Sequence, residues 1–198
     1  LHLSIRRQRQ MCIRDSVEAF ATYLKGRIDA LAFKNPVILE VGAGDGRLSY
    51  ALQKRLPSSV SVIATDDNSW FSVTTPAYVK DFQVKQLNYK QALAEFKPHI
   101  VICSWMPKFA DWTAAFRACP SVREYILIGP AFSGLIGHTW LTWGGCGDPS
   151  VLEIPIFTRE GFTRNDQEDL ARLQLCMDDR PTEMFASQTV SFRREAIA

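Results

Sequence analysis

The sequence contains no run of about 18 consecutive apolar residues, the length a membrane-crossing helix needs, so no helical span and no membrane partner are expected. Histidine is scarce, with only His2, His99 and His138, and the five cysteines (Cys12, Cys103, Cys119, Cys146, Cys176) are odd in number with no pair at C-x-x-C spacing. A structural zinc site and a disulfide framework therefore have no support; no metal is expected, and a reducing intracellular compartment, the cytoplasm by default, is the expectation. Repeats and low-complexity tracts are absent, and 11 Gly and 10 Pro in 198 residues do not suggest collagen or disorder. Neither sign of charge dominates, since the formal net charge is +2.

The little excess charge sits at the start of the chain. Arg6, Arg7, Arg9 and Arg14 face a single acid, Asp15, within residues 1–16, leaving 19 basic and 20 acidic residues in 17–198. That remainder carries no general nucleic-acid signature. The segment also lacks the apolar stretch and small-residue cleavage site of a secretory signal. The string Gln8-Arg9-Gln10-Met11-Cys12-Ile13-Arg14-Asp15-Ser16 resembles translated sequencing-adapter sequence. Residues 1–16 are accordingly expected to be a non-native or disordered leader, with a basic tail or a mitochondrial targeting segment as alternatives. With 46% apolar and 22% charged residues, 17–198 is expected to form one domain around one core.

From Ser16, which can cap a helix, Val17, Phe20, Ala21, Leu24, Ile28 and Leu31 recur at helical spacing until Asn35-Pro36. The short apolar run Val37–Val41 then reads as a strand buried on both faces, the pattern of a parallel sheet. Further strands are expected at Ser61–Thr65, Val84–Leu87, His99–Ser104 and Glu124–Gly129. Helices are expected at Arg47–Leu56, near Ala77–Phe82, at Lys90–Phe96 and at Asp111–Cys119. This alternation predicts a doubly wound α/β sheet. Near the end, Leu173–Met177 and Thr189–Arg193 are expected to pair as antiparallel strands. Residues 130–158, rich in Gly and Pro, read as a long irregular loop over the substrate side.

The sharpest local signal is Leu39-Glu40-Val41-Gly42-Ala43-Gly44-Asp45-Gly46, a strand entering G-x-G-x-G and then a helix. Glycines let the chain turn tightly and let a ligand approach bare backbone, while the helix start offers free N–H groups. A dinucleotide fingerprint needs its third glycine at position 47, which is Arg47. An acid before the first glycine, the G-x-G-x-G spacing and Asp66 twenty positions after Gly46 resemble the class I S-adenosylmethionine-dependent methyltransferases. That resemblance implies a seven-stranded sheet in the order 3-2-1-4-5-7-6 with strand 7 antiparallel, S-adenosyl-L-methionine as cofactor, and methyl transfer to an unidentified acceptor.

By the same resemblance Glu40 would orient the methionine amino group, and Gly42, Ala43, Gly44 and Gly46 would pack against the cofactor. Asp66, with Asp67 beside it, would accept from the ribose hydroxyls, Asn88 would meet the adenine amino group beside Tyr89, and Ser104 would lie near the methyl donor. The plainer alternatives are that Glu40 and Asp66 are solvated strand-end acids and that Asn88 is a turn residue; as a strand-end acid at the cofactor edge, Asp66 is expected to contribute little to stability. Asn/Asp-Pro-Pro-aromatic, which holds target nitrogens in amino methyltransferases, is replaced here by Cys103-Ser104-Trp105-Met106-Pro107.

All five tryptophans follow strands: Trp70, Trp105, Trp112, Trp140 and Trp143. Trp105, Trp140 and Trp143, with Pro107, are expected to shape the acceptor pocket, or else to pack down loops. Ser104 and His138 are the candidate catalytic groups, His138 having the alternative of a turn contact. Cys103 reads as a buried thiol, and Asp111 as a helix cap. A non-catalytic domain of the same fold and a nucleotide-dependent oxidoreductase are the rival readings.

Overall fold

The computed structural model describes residues 2–69, 82–131, 133–145, 153–174 and 187–194, with side chains from residue 16 onward. Helix α1 (His2–Leu31) begins earlier than expected: it runs through Ser16 unbroken, so Ser16 is not its cap and the presumed leader is helical from His2. Nothing in residues 1–16 opposes this, since the segment contains no Gly or Pro. Val17, Phe20, Ala21, Leu24 and Ile28 form the buried stripe of the second half. The helix closes at Ala32, whose φ of 52° is left-handed and whose N–H donates to Ile28 O at 3.1 Å.

Among the described residues, seven strands and five further helices follow: β1 (Val37–Val41), α2 (Arg47–Gln53), β2 (Ser61–Asp66), β3 (Val84–Gln86), α3 (Tyr89–Phe96), β4 (Ile100–Ser104), α4 (Thr113–Ala118), β5 (Glu124–Gly129), α5 (Ile156–Arg159), β6 (Phe162–Asp166), α6 (Glu168–Arg172) and β7 (Gln188–Arg194). They form one sheet in the order β3-β2-β1-β4-β5-β7-β6. β1 to β5 are mutually parallel, and β7 runs antiparallel to both β5 and β6. The period-2 alternation of side chains splits the buried strands between two cores. Ile38, Ile100, Ile102 and Ile126 face α1 and α2, whereas Leu39, Val101, Cys103 and Leu127 face Phe116 of α4, Trp143 and Phe157.

Two expectations fail at the C-terminal end. The sixth strand is Phe162–Asp166, not Leu173–Met177: Leu173 lies in the turn after α6, and 175–177 lie outside the described residues. Phe162-Thr163-Arg164-Asn165-Asp166 has one apolar residue in five because it is the sheet edge, where solvent covers one side and no apolar run is required. The loop expected over 130–158 also contains α5, and within 133–145 it is packed, with Thr142 and Trp143 at 0% and 1% exposure. Trp70 and the helix expected at 77–81 lie outside the described residues; Phe82 is not helical.

A single buried carboxylate fastens α1 to the sheet. Glu124 opens β5, is fully buried, and accepts from Arg27 Nε at 2.6 Å, Tyr23 OH at 2.5 Å and Ser191 Oγ at 2.6 Å. Burial, and then the neighbouring Glu124 charge, push the Tyr23 phenol up to about 12, so it stays a donor. Glu124→Ala removes the shared acceptor from one guanidinium and two hydroxyls, and a loss of about 3–5 kcal/mol in unfolding free energy is expected from urea melts. Glu18→Ala, which breaks the exposed pair with Arg55, is expected to change the same measurement by under about 1 kcal/mol.

Candidate active site

The chain leaves β1 through a turn that needs glycine. Gly42, Gly44 and Gly46 have φ of 66°, 56° and 75°, and a Cβ on Gly46 would stand 2.6 Å from Val84 Cγ2. Ala43 N–H donates to Thr65 O at 3.0 Å, tying the turn to β2. Asp66, the last residue of β2, completes the tie. Its Oδ2 accepts from Gly44 N–H at 2.8 Å and its Oδ1 from Asn68 N–H at 2.7 Å. At 9% exposure it is not the solvated strand-end acid of the plainer alternative. A carboxylate offers about four lone-pair positions, so two acceptor positions remain.

Glu40 does something other than what the motif implies. It is 3% exposed, and its Oε2 accepts from Ser49 N–H at 3.1 Å and Ser49 Oγ at 2.5 Å. Helix α2 has no side-chain cap of its own at Gly46, so this carboxylate caps it from the neighbouring strand. Burial pushes the Glu40 carboxyl up to about 7, overriding the Ser49 hydrogen bonds that favour its charged form. Glu40 thus supports the glycine turn from behind rather than facing a ligand.

A cavity of about 310 Å³ opens where β1, β2, β3 and β4 end. Gly42, Gly44, Asp66 and Asp67 form one wall, Asn88 and Tyr89 a second, and Ser104, Trp105 and Pro107 a third. These expected site residues are brought together. Glu40, Ala43, Gly46, His138, Trp140 and Trp143 are not among the described lining residues. Trp143 is buried in the core, with its indole N–H donating to Ile136 O at 3.4 Å, and Trp140 is half-buried in the same turn-rich segment. His138 is exposed and its Nδ1 accepts from Leu141 N–H at 3.2 Å, a turn contact.

Asn88 has a structural task as well as a cavity position. Its Oδ1 accepts from Lys90 N–H at 3.0 Å and Gln91 N–H at 3.1 Å, and Gln91 Oε1 accepts from Asn88 N–H at 3.2 Å. This capping box starts α3 and leaves the Asn88 amide nitrogen as its remaining donor. Trp112, which the sequence puts after a strand without a site role, is also a wall residue: its ring stacks on Tyr89 at 4.9 Å and 15°, and Cζ3 lies 3.2 Å from where a Gly42 Cβ would stand. Asp111 is not the expected cap: the N-cap position of α4 is Trp112, with no side-chain cap hydrogen bond, and Asp111 stands one residue earlier, its Oδ1 accepting from Thr113 N–H at 3.2 Å across Trp112. Ile136, from the 130–158 segment, adds to the lining. The Ser104 hydroxyl is buried in the wall and has no hydrogen-bond partner among the described residues.

No protein-family model matches the sequence, and no curated protein matches it. Among solved structures, the carbon methyltransferase CurJ superposes with a TM-score of 0.53 at 11% identity over 91% of this chain and 54% of that one. The chain has the class I methyltransferase fold. It spans about half the length of CurJ. Magnesium protoporphyrin IX methyltransferase (ChlM) from Synechocystis PCC 6803, solved with bound SAH, gives 0.46 at 16% identity over 96% of this chain and 87% of that one. Precorrin-6y C5,15-methyltransferase from Geobacter metallireducens GS-15 gives 0.49 at 10% over 90% and 87%. In this methyltransferase fold the cavity lies at the carboxyl edge where the strand order reverses between β1 and β4, the edge at which doubly wound sheets bind ligands.

Glu40 makes the stability of this edge pH-dependent. Its carboxyl holds a proton to about pH 7 in the folded chain against 4.5 ordinarily, so its contribution is complete below about pH 4.5 and is lost as pH rises through about 7. Over that window the loss amounts to about 3 kcal/mol. Urea melts at pH 5 and pH 8 are expected to show wild-type stability falling more steeply with pH than that of Glu40→Gln. Parallel slopes for the two proteins would mean that Glu40 ionises in the folded chain as it does in the unfolded one.

Proposed function

We propose that the chain binds S-adenosylmethionine in the cavity of about 310 Å³ and transfers its methyl group to an acceptor. The observation that carries this reading is the joint geometry of Asp66 and the glycine turn. A left-handed backbone without side chains lies against a buried carboxylate that still has two acceptor positions, which suits a ribose with two adjacent hydroxyls. The stacked Tyr89 and Trp112 rings beside it suit a flat purine, and the Asn88 amide nitrogen suits a ring nitrogen acceptor. The unpartnered Ser104 hydroxyl marks where a polar ligand atom belongs.

When bound, the sulfonium supplies an electrophilic methyl: the acceptor lone pair forms the new bond as the carbon–sulfur bond breaks, and the electron pair stays on sulfur as a thioether. What the chain itself contributes is position and exclusion of water, and this needs no nucleophilic side chain. Cys103 fits that picture, because burial holds its thiol far above the ordinary thiol range and keeps it inert. Glu40 holds α2 and the glycine turn, His138 holds a loop, and neither acts on the acceptor.

S-adenosylhomocysteine is expected to raise the melting temperature, and NAD and ATP are expected to leave it unchanged. Calorimetric titration of Asp66→Ala with S-adenosylhomocysteine is expected to show a loss of about 2–4 kcal/mol, roughly 30-fold to 1000-fold. Asp67→Ala is expected to stay within about threefold of wild type, because Asp67 is exposed and bonds only to Ser69 nearby. Asp66→Ala also frees the Gly44 and Asn68 amides, so its stability is expected to fall by about 1–3 kcal/mol. Unchanged affinity in Asp66→Ala, or stabilisation by NAD alone, would overturn this reading.

A further inference from the structure

Behind the wall made by Ser104 and Trp105 lies a second hollow, of about 700 Å³, on the α1 face of the sheet. Its apolar lining comes from four elements: Val17 and Phe20 of α1, Leu48 and Ala51 of α2, Ile128 of β5 and Leu170 of α6. Its polar groups are nearly all engaged. Gln174 Nε2 donates to Thr189 Oγ1, and Ser187 Oγ donates to Gln174 Oε1 at 2.6 Å. The one charged side chain among the described lining residues, Arg47, is paired with Asp45 at 2.6 Å. The exception is the Ser104 hydroxyl, buried, unpartnered, and bordering both this hollow and the smaller cavity.

We infer that this hollow is the acceptor site, and that it takes an uncharged, mainly apolar, planar small molecule carrying an acidic hydroxyl, a phenol, whose oxygen meets the Ser104 hydroxyl once that hydroxyl rotates out of the wall in which it is enclosed. The inference rests on the cofactor reading above and specifies its acceptor. Size, lining and the adjoining wall carry the first part, since ligand sites of about 300–1,000 Å³ are lined in this way, with few polar groups that fix orientation. Charge carries the second. A carboxylate, phosphate or ammonium entering the hollow would give up hydration and meet no free counter-charge among the described lining residues.

The third part follows from proton transfer. No carboxylate or imidazole is among the described lining residues of the hollow, and a serine hydroxyl is no base at neutral pH. With no base among those described residues, the acceptor that suits the hollow is one that loses its proton to water unaided, which a phenol does far more readily than an alkanol. The phenolic oxygen then supplies the lone pair for the new carbon–oxygen bond, the methyl–sulfur bond breaks, and its electrons remain on sulfur. Trp105 suits the role of partition: its φ of 56° is left-handed, a conformation unusual for a bulky residue and of the kind found at ligand sites, and its ring is 41% exposed.

The probe is 2-naphthol, with 2-naphthoate as its charged counterpart of equal ring size. Fluorescence titration of the full chain, with and without saturating S-adenosylhomocysteine, is expected to give saturable 2-naphthol binding. Ala51→Trp fills the hollow from a half-buried position on α2 and is expected to weaken that binding at least about tenfold, while S-adenosylhomocysteine affinity stays within about threefold. Ala51→Leu, a smaller intrusion, is expected to give an intermediate loss and serves if the tryptophan variant melts early. 2-Naphthoate is expected to bind at least about tenfold more weakly than 2-naphthol. With labelled donor, the expected product is 2-methoxynaphthalene. S-adenosylhomocysteine binding without saturable 2-naphthol binding, 2-naphthol binding indifferent to both Ala51 variants, or tighter binding of 2-naphthoate would each overturn the acceptor site and leave the cofactor reading standing. Absence of S-adenosylhomocysteine binding would overturn the cofactor reading itself, on which this inference rests.

Discussion

The carboxylate of Asp66, held between the Gly44 and Asn68 amides, makes one unit of two separate crossovers. Parallel strands bring the ends of β1 and β2 side by side, but parallel pairing alone does not set the path of the chain after it leaves the sheet. The hydrogen bond from Gly44 to Asp66 sets that path for the first crossover. Glu40 sets the direction of α2 from the other side, by accepting from Ser49. Between these two buried acids the glycine turn has little freedom, and the small cavity takes its shape from that restriction.

The two faces of the sheet are covered differently, and the hollows beside them differ accordingly. On the α3 and α4 side, Trp112 and Tyr89 stack down onto the glycine turn, so the space there is narrow and flat. On the α1 side, Glu124 fixes the helix through Tyr23 and Arg27, on the turns that follow Val17 and Phe20. The helix is thereby held in its second half, while Val17 and Phe20 at its middle line a hollow edge of the sheet. Burying a carboxylate this deeply is costly unless it is paired and hydrogen-bonded, and the arginine, the phenol and the serine hydroxyl together supply a counter-charge and three donors.

Much of this was legible in the residues. Val37–Val41 and Glu124–Gly129 read as strands because central parallel strands are buried on both faces and leave continuous apolar runs. Asp66 and Asn88 could be placed at strand ends because the alternation of elements fixes where each strand stops. The edge strand Phe162–Asp166 could not be read, since an edge needs no apolar run and its polar residues look like loop. Glu40 could be located but not understood, because its partner Ser49 lies one element further on and no local pattern joins them. Trp143 had the right position in sequence and the wrong depth: a strand end predicts proximity to the ligand edge, whereas burial depends on how the following loop folds back.

Trp105 borders both cavities, and its backbone is held by one hydrogen bond from its N–H to Ile128 O at 2.9 Å. A ring shared in this way cannot swing into one space without enlarging the other. Any molecule that moves it on one side therefore alters the free energy of filling the other side, and linkage makes that effect equal in both directions. One residue in left-handed backbone thus belongs to the walls of both compartments.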